Sequence, residues 1–130
     1  MKLKTLFILA SAYLTLAGLG FIFIPQLFGK GAVPASPSPA LLEYLRVFGS
    51  PLLGIAVLDW TARNEQASTA RNAIMLGNII GFSAIAALDI WGVFHEARPA
   101  AKVFVIIHSF FALSFILVGK RNWKNSSRFK

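Results

Sequence analysis

The sequence predicts an all-α integral membrane protein, a four-helix bundle that forms a single domain over residues 1–130. Its composition is one reason. Hydrophobic residues make up 56% of the chain and charged residues 14%, against about 45–50% and 25% in soluble domains. Four apolar runs are the other reason, because each has about 20 residues and would span the hydrocarbon core of a bilayer as a helix of about 30 Å.

The first run begins directly after Lys2 and Lys4 and contains the small residues Ala10, Ser11 and Ala12, as a secretory signal does. It continues without a break to Ile24, which favours an uncleaved first helix. Together, the four predicted transmembrane helices cover residues 5–24, 41–60, 72–92 and 101–119.

The connections between the runs are polar or rich in proline. Residues 25–40 contain four prolines, which exclude a continuous helix and predict an extended loop. Residues 61–71 predict a polar loop, and residues 94–100 a short turn. In that turn, Pro99 is well placed to start the fourth helix.

Basic residues are distributed unequally between the two sides of the predicted bundle. If the N-terminus is cytoplasmic, nine of the 13 basic residues lie on that side. The positive-inside rule therefore predicts that both termini are cytoplasmic, in a bacterial inner membrane that the chain crosses several times. The basic tail, residues 120–130, has five basic and no acidic residues. It predicts attraction to anionic lipid rather than to nucleic acid.

Small residues mark the predicted contacts between helices, because membrane helices associate by close approach of their backbones. Gly77 and Gly81 form a GxxxG pair on the third helix. Ser50 and Gly54 repeat that spacing on the second. These residues are expected to pack the four helices within one chain, with the seam of a homodimer as the alternative.

Polar residues within the spans are the candidate site. Glu43 and Arg46 share one face of the second helix, and Asn78 and Asp89 share one face of the third. Arg46 and Asp89 lie at similar depth and are expected to pair. With His108 of the fourth helix, they predict either a structural clasp or a polar pocket in the outer leaflet for a small anionic or quinone-like ligand.

His108 is the candidate for cofactor chemistry, although no cofactor is predicted. An imidazole among phenylalanines can hydrogen-bond a neighbouring helix. It can instead bind the metal of a haem or chlorophyll, or donate a hydrogen bond to a quinone. The chain has no cysteine and no HExxH, GxSxG or P-loop motif, so no catalytic residue is assigned. Asp59, near Arg63 and Arg71, is expected to form a solvated surface pair.

Short motifs carry a family resemblance. The first span ends at Pro25, and a proline-rich loop leads to the sequences LRVFG (residues 45–49), LLG (residues 52–54) and WTAR (residues 60–63). In this order they resemble small bacterial four-helix membrane proteins grouped with DoxX. The resemblance implies a four-helix bundle, and it implies a link to quinone or redox partners for some members.

The function expected from these features is that of a non-catalytic accessory or assembly subunit of a larger membrane complex, because nearly every feature serves membrane insertion and helix packing. Its partners would be lipid and other membrane subunits or a second copy. The alternative is a binder or carrier of a small anionic or quinone-like lipophilic ligand.

Overall fold

The computed structural model describes residues 1–31, 33–96 and 100–126, with side chains as far as Asn122. Four of the helices in this part of the chain are long and apolar enough to cross a membrane, and the predicted all-helical class is confirmed. Pro99 and residues 127–130 of the basic tail lie outside the described residues. The helices are α1 (Leu3–Phe23), α2 (Pro25–Phe28), α3 (Pro39–Ala62), α4 (Thr69–Phe94) and α5 (Ala101–Ser126).

The helix starts follow from local chemistry. The side chains of Ser38 and Ser68 accept hydrogen bonds from backbone amides in the first turns of α3 and α4, which satisfies donors that a helix start leaves free. Pro25 starts the one-turn helix α2, so the loop predicted to be extended begins with helical structure. At the other end of the chain, α5 continues into the basic tail as far as Ser126.

The four long helices run alternately up and down. Ser11 of α1 contacts Ala56 of α3, and Gly18 lies against Gly49. Residues later in α1 therefore contact residues earlier in α3, which makes the two helices antiparallel. The same antiparallel order relates α4 to α5. The start of α1, the end of α5 and the connection between α3 and α4 therefore lie at one end of the bundle, here called the termini end, and α2 lies at the opposite, loop end.

Packing is closest within two helix pairs, α1 with α3 and α4 with α5. A Cβ atom added at Gly49 would lie 2.6 Å from the carbonyl oxygen of Gly18, so neither glycine leaves room for a side chain. Between the pairs, Phe7 of α1 contacts Phe115 of α5 with ring centroids 5.8 Å apart. Both of these rings are fully buried.

The predicted packing role of the other small residues within one chain is wrong. A Cβ atom added at Gly54, Gly77 or Gly81 would meet none of the described residues within 4 Å, and Ser50 is exposed. The physical reason is the rotation of the helices. The contact of α3 with α1 turns the face that bears Gly49 and Ala56 inward, which leaves the neighbouring face that bears Ser50 and Gly54 outside.

Candidate functional site

Three polar side chains from three helices form a hydrogen-bonded chain in the bundle core. The hydroxyl of Tyr13 on α1 lies 2.6 Å from Nε2 of His108 on α5. Nδ1 of the same imidazole lies 2.5 Å from Oδ2 of Asp89 on α4. His108 and Asp89 are buried. This chain, called the Tyr13–His108–Asp89 chain below, connects both helix pairs in the half of the bundle nearer the loop end.

The direction of these hydrogen bonds follows from the partners. A carboxylate can only accept, so Nδ1 of His108 carries the hydrogen that it donates to Asp89. In the neutral imidazole, Nε2 then accepts the hydrogen of the Tyr13 hydroxyl. Both ring nitrogens are therefore in use. Coordination of a haem or chlorophyll metal, or donation to a quinone, would require His108 to leave Tyr13 or Asp89.

Aromatic rings surround the imidazole. Phe104 stacks on His108 with centroids 5.7 Å apart and an interplanar angle of 17°, and Phe82 approaches it to 6.2 Å. Phe82 in turn stacks on Phe111, with centroids 4.6 Å apart. Such rings exclude water, which strengthens the hydrogen bonds inside and raises the free energy of any unpaired polar group.

A second polar contact lies nearer the termini end, between α3 and α4. Nδ2 of Asn78 donates to Oδ1 of Asp59 over 2.6 Å and to the carbonyl oxygen of Ile74 over 3.1 Å. Asp59 has no exposed surface and Asn78 is 4% exposed. The two side chains are called the Asp59–Asn78 pair below.

The predicted surface role of Asp59 is wrong, because its face of α3 is the buried one. Ala56, one turn earlier, accepts a hydrogen bond of 2.8 Å from the Ser11 hydroxyl of α1, and this contact turns Asp59 toward α4. Arg63 instead stacks its guanidinium over the ring of Trp60. Arg71 donates to the carbonyl oxygen of Glu65 over 2.9 Å.

The predicted pair of Arg46 with Asp89 is also wrong. Arg46 contacts Glu43, one turn away on its own helix, over 3.5 Å, and both side chains are about half or more exposed, at 48% and 67%. Asp89 faces the bundle interior, where His108 reaches it from α5. The predicted residues therefore separate into an exposed ion pair of α3 and two buried contacts, one with Asp89 and His108 and one with Asn78.

Two residues of these contacts were not predicted, Tyr13 and Ser11 on α1. Their positions in the sequence could have identified them. They lie on the helix face formed by Leu6, Phe7 and Ala10, and this face is the buried one. A hydroxyl on the core-facing side of a membrane helix requires a partner, which is the reason to look for one.

Among the described residues, a larger and a smaller groove on the surface are both lined without His108 or Asp89. The larger groove, of about 500 Å³, lies between α1 and α3. The residues that line it, which include Ile8 and Trp60, are mostly apolar. The other, of about 320 Å³, lies at the loop end between Pro25 and Arg46. Among the described residues, no three histidine, cysteine or acidic side chains are grouped so that they could hold a metal ion.

No family model, no curated protein and no solved structure matches this chain.

Proposed function

We propose that the protein is a small, non-catalytic accessory subunit that binds other helices in the membrane through the outward faces of α3 and α4. The observation that carries the proposal is the open space beside Gly54, Gly77 and Gly81. Glycine lets the backbones of two membrane helices approach closely. These three glycines lie within the long apolar helices α3 and α4, and none of the described residues packs closely against them.

The two glycine sets of the molecule support this interpretation. Gly18 and Gly49 bring α1 and α3 into contact inside the chain. Gly77 and Gly81 have the same small size and the GxxxG spacing on α4, yet their face is exposed. A helix of another subunit, or of a second copy of this chain, would fill it.

The buried polar side chains support a structural rather than a catalytic role. His108 is held through both ring nitrogens, and Asn78 donates to Asp59 and to its own helix. These contacts join the two helix pairs, as interhelical hydrogen bonds do in other membrane bundles. They would fix the relative position of the pairs and so the shape of the outward faces.

The proposed setting is the inner membrane of a bacterium, with the termini end in the cytoplasm. The excess of basic residues at that end supports it. The basic tail would lie against anionic lipid, at roughly 1 kcal/mol of attraction per basic residue near the surface. The resemblance to DoxX-like proteins agrees with a four-helix bundle of this kind.

The experiment is purification from native membranes in a mild detergent, comparing the wild type with Gly77→Leu/Gly81→Leu. We expect the wild type to elute with other membrane subunits or as a homodimer, and the double variant to elute alone. The control is Val103→Leu, which enlarges an exposed residue of α5 and should leave assembly unchanged. Elution of the wild type as a free monomer in every mild detergent would contradict the proposal.

A second candidate function is the binding of a small anionic, lipophilic ligand, and the groove at the loop end favours it. Arg46 lines this groove together with apolar residues of α2 and α3, so a cation adjoins an apolar surface, as such a ligand requires. Thermal unfolding with added short-chain fatty acid or soluble quinone would test it. Stabilisation that is lost in Arg46→Ala and kept in Lys102→Ala is expected, and no stabilisation of the wild type would contradict it.

A further inference from the structure

The Asp59–Asn78 pair has two buried atoms without a hydrogen-bond partner. They are Oδ2 of Asp59 and Oδ1 of Asn78. The orientation of the Asn78 amide is fixed by the carbonyl oxygen of Ile74, which requires a donor opposite it. Both unpartnered atoms are therefore oxygens that accept hydrogen bonds.

An ionised Asp59 does not account for these atoms. A carboxylate has no hydrogen to donate, so it leaves the Asn78 oxygen unsatisfied and its own Oδ2 without a donor. It also places a negative charge on a side chain with no exposed surface, at a membrane-spanning position where the transfer of an ion from water is strongly unfavourable.

Positive side chains at the termini end do not neutralise Asp59. Arg63, one turn further along α3, lies over Trp60 with its guanidinium carbon 3.7 Å from the ring centroid. Arg71 of α4 donates through Nη1 to the carbonyl oxygen of Glu65, and its buried Nε has no hydrogen-bond partner. Lys4 of α1 and Lys120 of α5 are exposed, and no ion pair of Asp59 occurs among the described residues.

We propose that Asp59 and Asn78 form a proton-binding site, in which Asp59 is a neutral carboxylic acid whose Oδ2–H donates to Oδ1 of Asn78. One proton then satisfies both unpartnered oxygens. The acid and the amide are joined by two hydrogen bonds of opposite direction, with Asn78 Nδ2 donating to Asp59 Oδ1 as observed. The binding step forms the Oδ2–H bond of Asp59 and breaks one O–H bond of a hydronium ion, which leaves as water.

A proton suits this site better than a metal cation does. Sodium, magnesium and calcium ions take about six or more oxygen ligands, and the site offers the two unpartnered oxygens. The proposal goes beyond the accessory role because it makes the contact between α3 and α4 depend on a bound proton. Loss of that proton would remove one of the two hydrogen bonds and leave a buried charge.

Infrared spectroscopy of the purified protein tests the proposal. The chain has two aspartates, Asp59 and Asp89, so carbon-13 labelling of aspartate shifts only their bands. At mildly acidic to neutral pH we expect a labelled C=O band of a protonated carboxylic acid, which is lost at alkaline pH. Absence of that band from the wild type would overturn the proposal without the need for any variant.

Three variants assign the band. It should disappear in Asp59→Asn and remain in Asp89→Asn. In Asn78→Ala it should move to higher wavenumber, because the C=O group loses the hydrogen bond from Nδ2. A band that persists in Asp59→Asn, or one that Asn78→Ala leaves unmoved, would contradict the assignment. The oligomeric state does not enter these measurements, so the proton site and the accessory function can fail independently.

Discussion

The two buried polar contacts of the bundle differ in how their groups are paired. In the Tyr13–His108–Asp89 chain, a donor faces an acceptor at each step, and the imidazole supplies one of each. In the Asp59–Asn78 pair, two acceptor oxygens have no donor. The first contact is complete with an ionised aspartate, whereas the second becomes complete only with a protonated one. Two aspartates in similar helices are thus expected to carry different charges because their partners differ.

The two polar contacts also lie at different heights in the bundle. Both lie on one face of α4, since Asn78 and Asp89 are eleven residues apart, about three helical turns. Phe82 lies between them on the same face and packs against Phe111 and Phe115. This apolar layer separates the contacts, so substitutions at one are expected to act independently of the other.

The largest effect is expected from His108→Ala. The substitution removes the partner of both Tyr13 and Asp89 and leaves a buried carboxylate without its imidazole. A buried charge that is left uncompensated costs about 3–5 kcal/mol of the free energy of unfolding. Chemical unfolding in detergent measures it, with His95→Ala as the control because His95 is exposed and bonds its own helix. A loss below about 1 kcal/mol would contradict the structural importance of the chain.

A smaller effect is expected from Asn78→Ala. It removes the one donor that faces Asp59, and an unsatisfied buried group costs about 1–3 kcal/mol. The same unfolding experiment measures the loss, and Asn64→Ala in the exposed connection between α3 and α4 is the matched control. Equal stability of Asn78→Ala and the wild type would show that the pair does not hold α3 to α4.

A still smaller loss of stability is expected from Tyr13→Phe. The ring keeps its contacts with Phe82 and Phe111, and only the hydroxyl is lost, so the expected cost is about 0.5–1.5 kcal/mol. The second tyrosine, Tyr44, is 70% exposed, and Tyr44→Phe should change nothing measurable. Similar losses in both variants would count against the hydrogen bond to His108.

The sequence was sufficient to predict four long apolar helices, because the length and apolarity of such a helix depend on local composition. It also indicated that Asp89, His108 and Asn78 would have polar partners, since polar groups within a long apolar helix need them. Which partners they have depends on the rotation of each helix about its axis. That rotation is set by non-local contacts such as Gly18 with Gly49.

Asp59 shows what could not be predicted from the sequence alone. From the sequence, it is an acidic residue near a helix end with arginines nearby, and an exposed ion pair is the ordinary expectation. In the structure, the Ser11 contact with Ala56 turns its side chain into the core. The pattern of Leu6, Ala10 and Tyr13 on α1 contained the matching information, but the face of α3 that meets this pattern follows only from three-dimensional packing.

The most direct test of the difference between the two contacts is the stability of Asp59→Asn compared with Asp89→Asn, measured by unfolding in the same detergent at neutral pH. An asparagine at position 59 can donate to Asn78 Oδ1 and accept from its Nδ2, as the neutral acid does, so the change should be within about 0.5 kcal/mol. An asparagine at position 89 loses the charge-assisted hydrogen bond to His108 and should cost about 1 kcal/mol or more. A larger loss for Asp59→Asn than for Asp89→Asn would contradict the account.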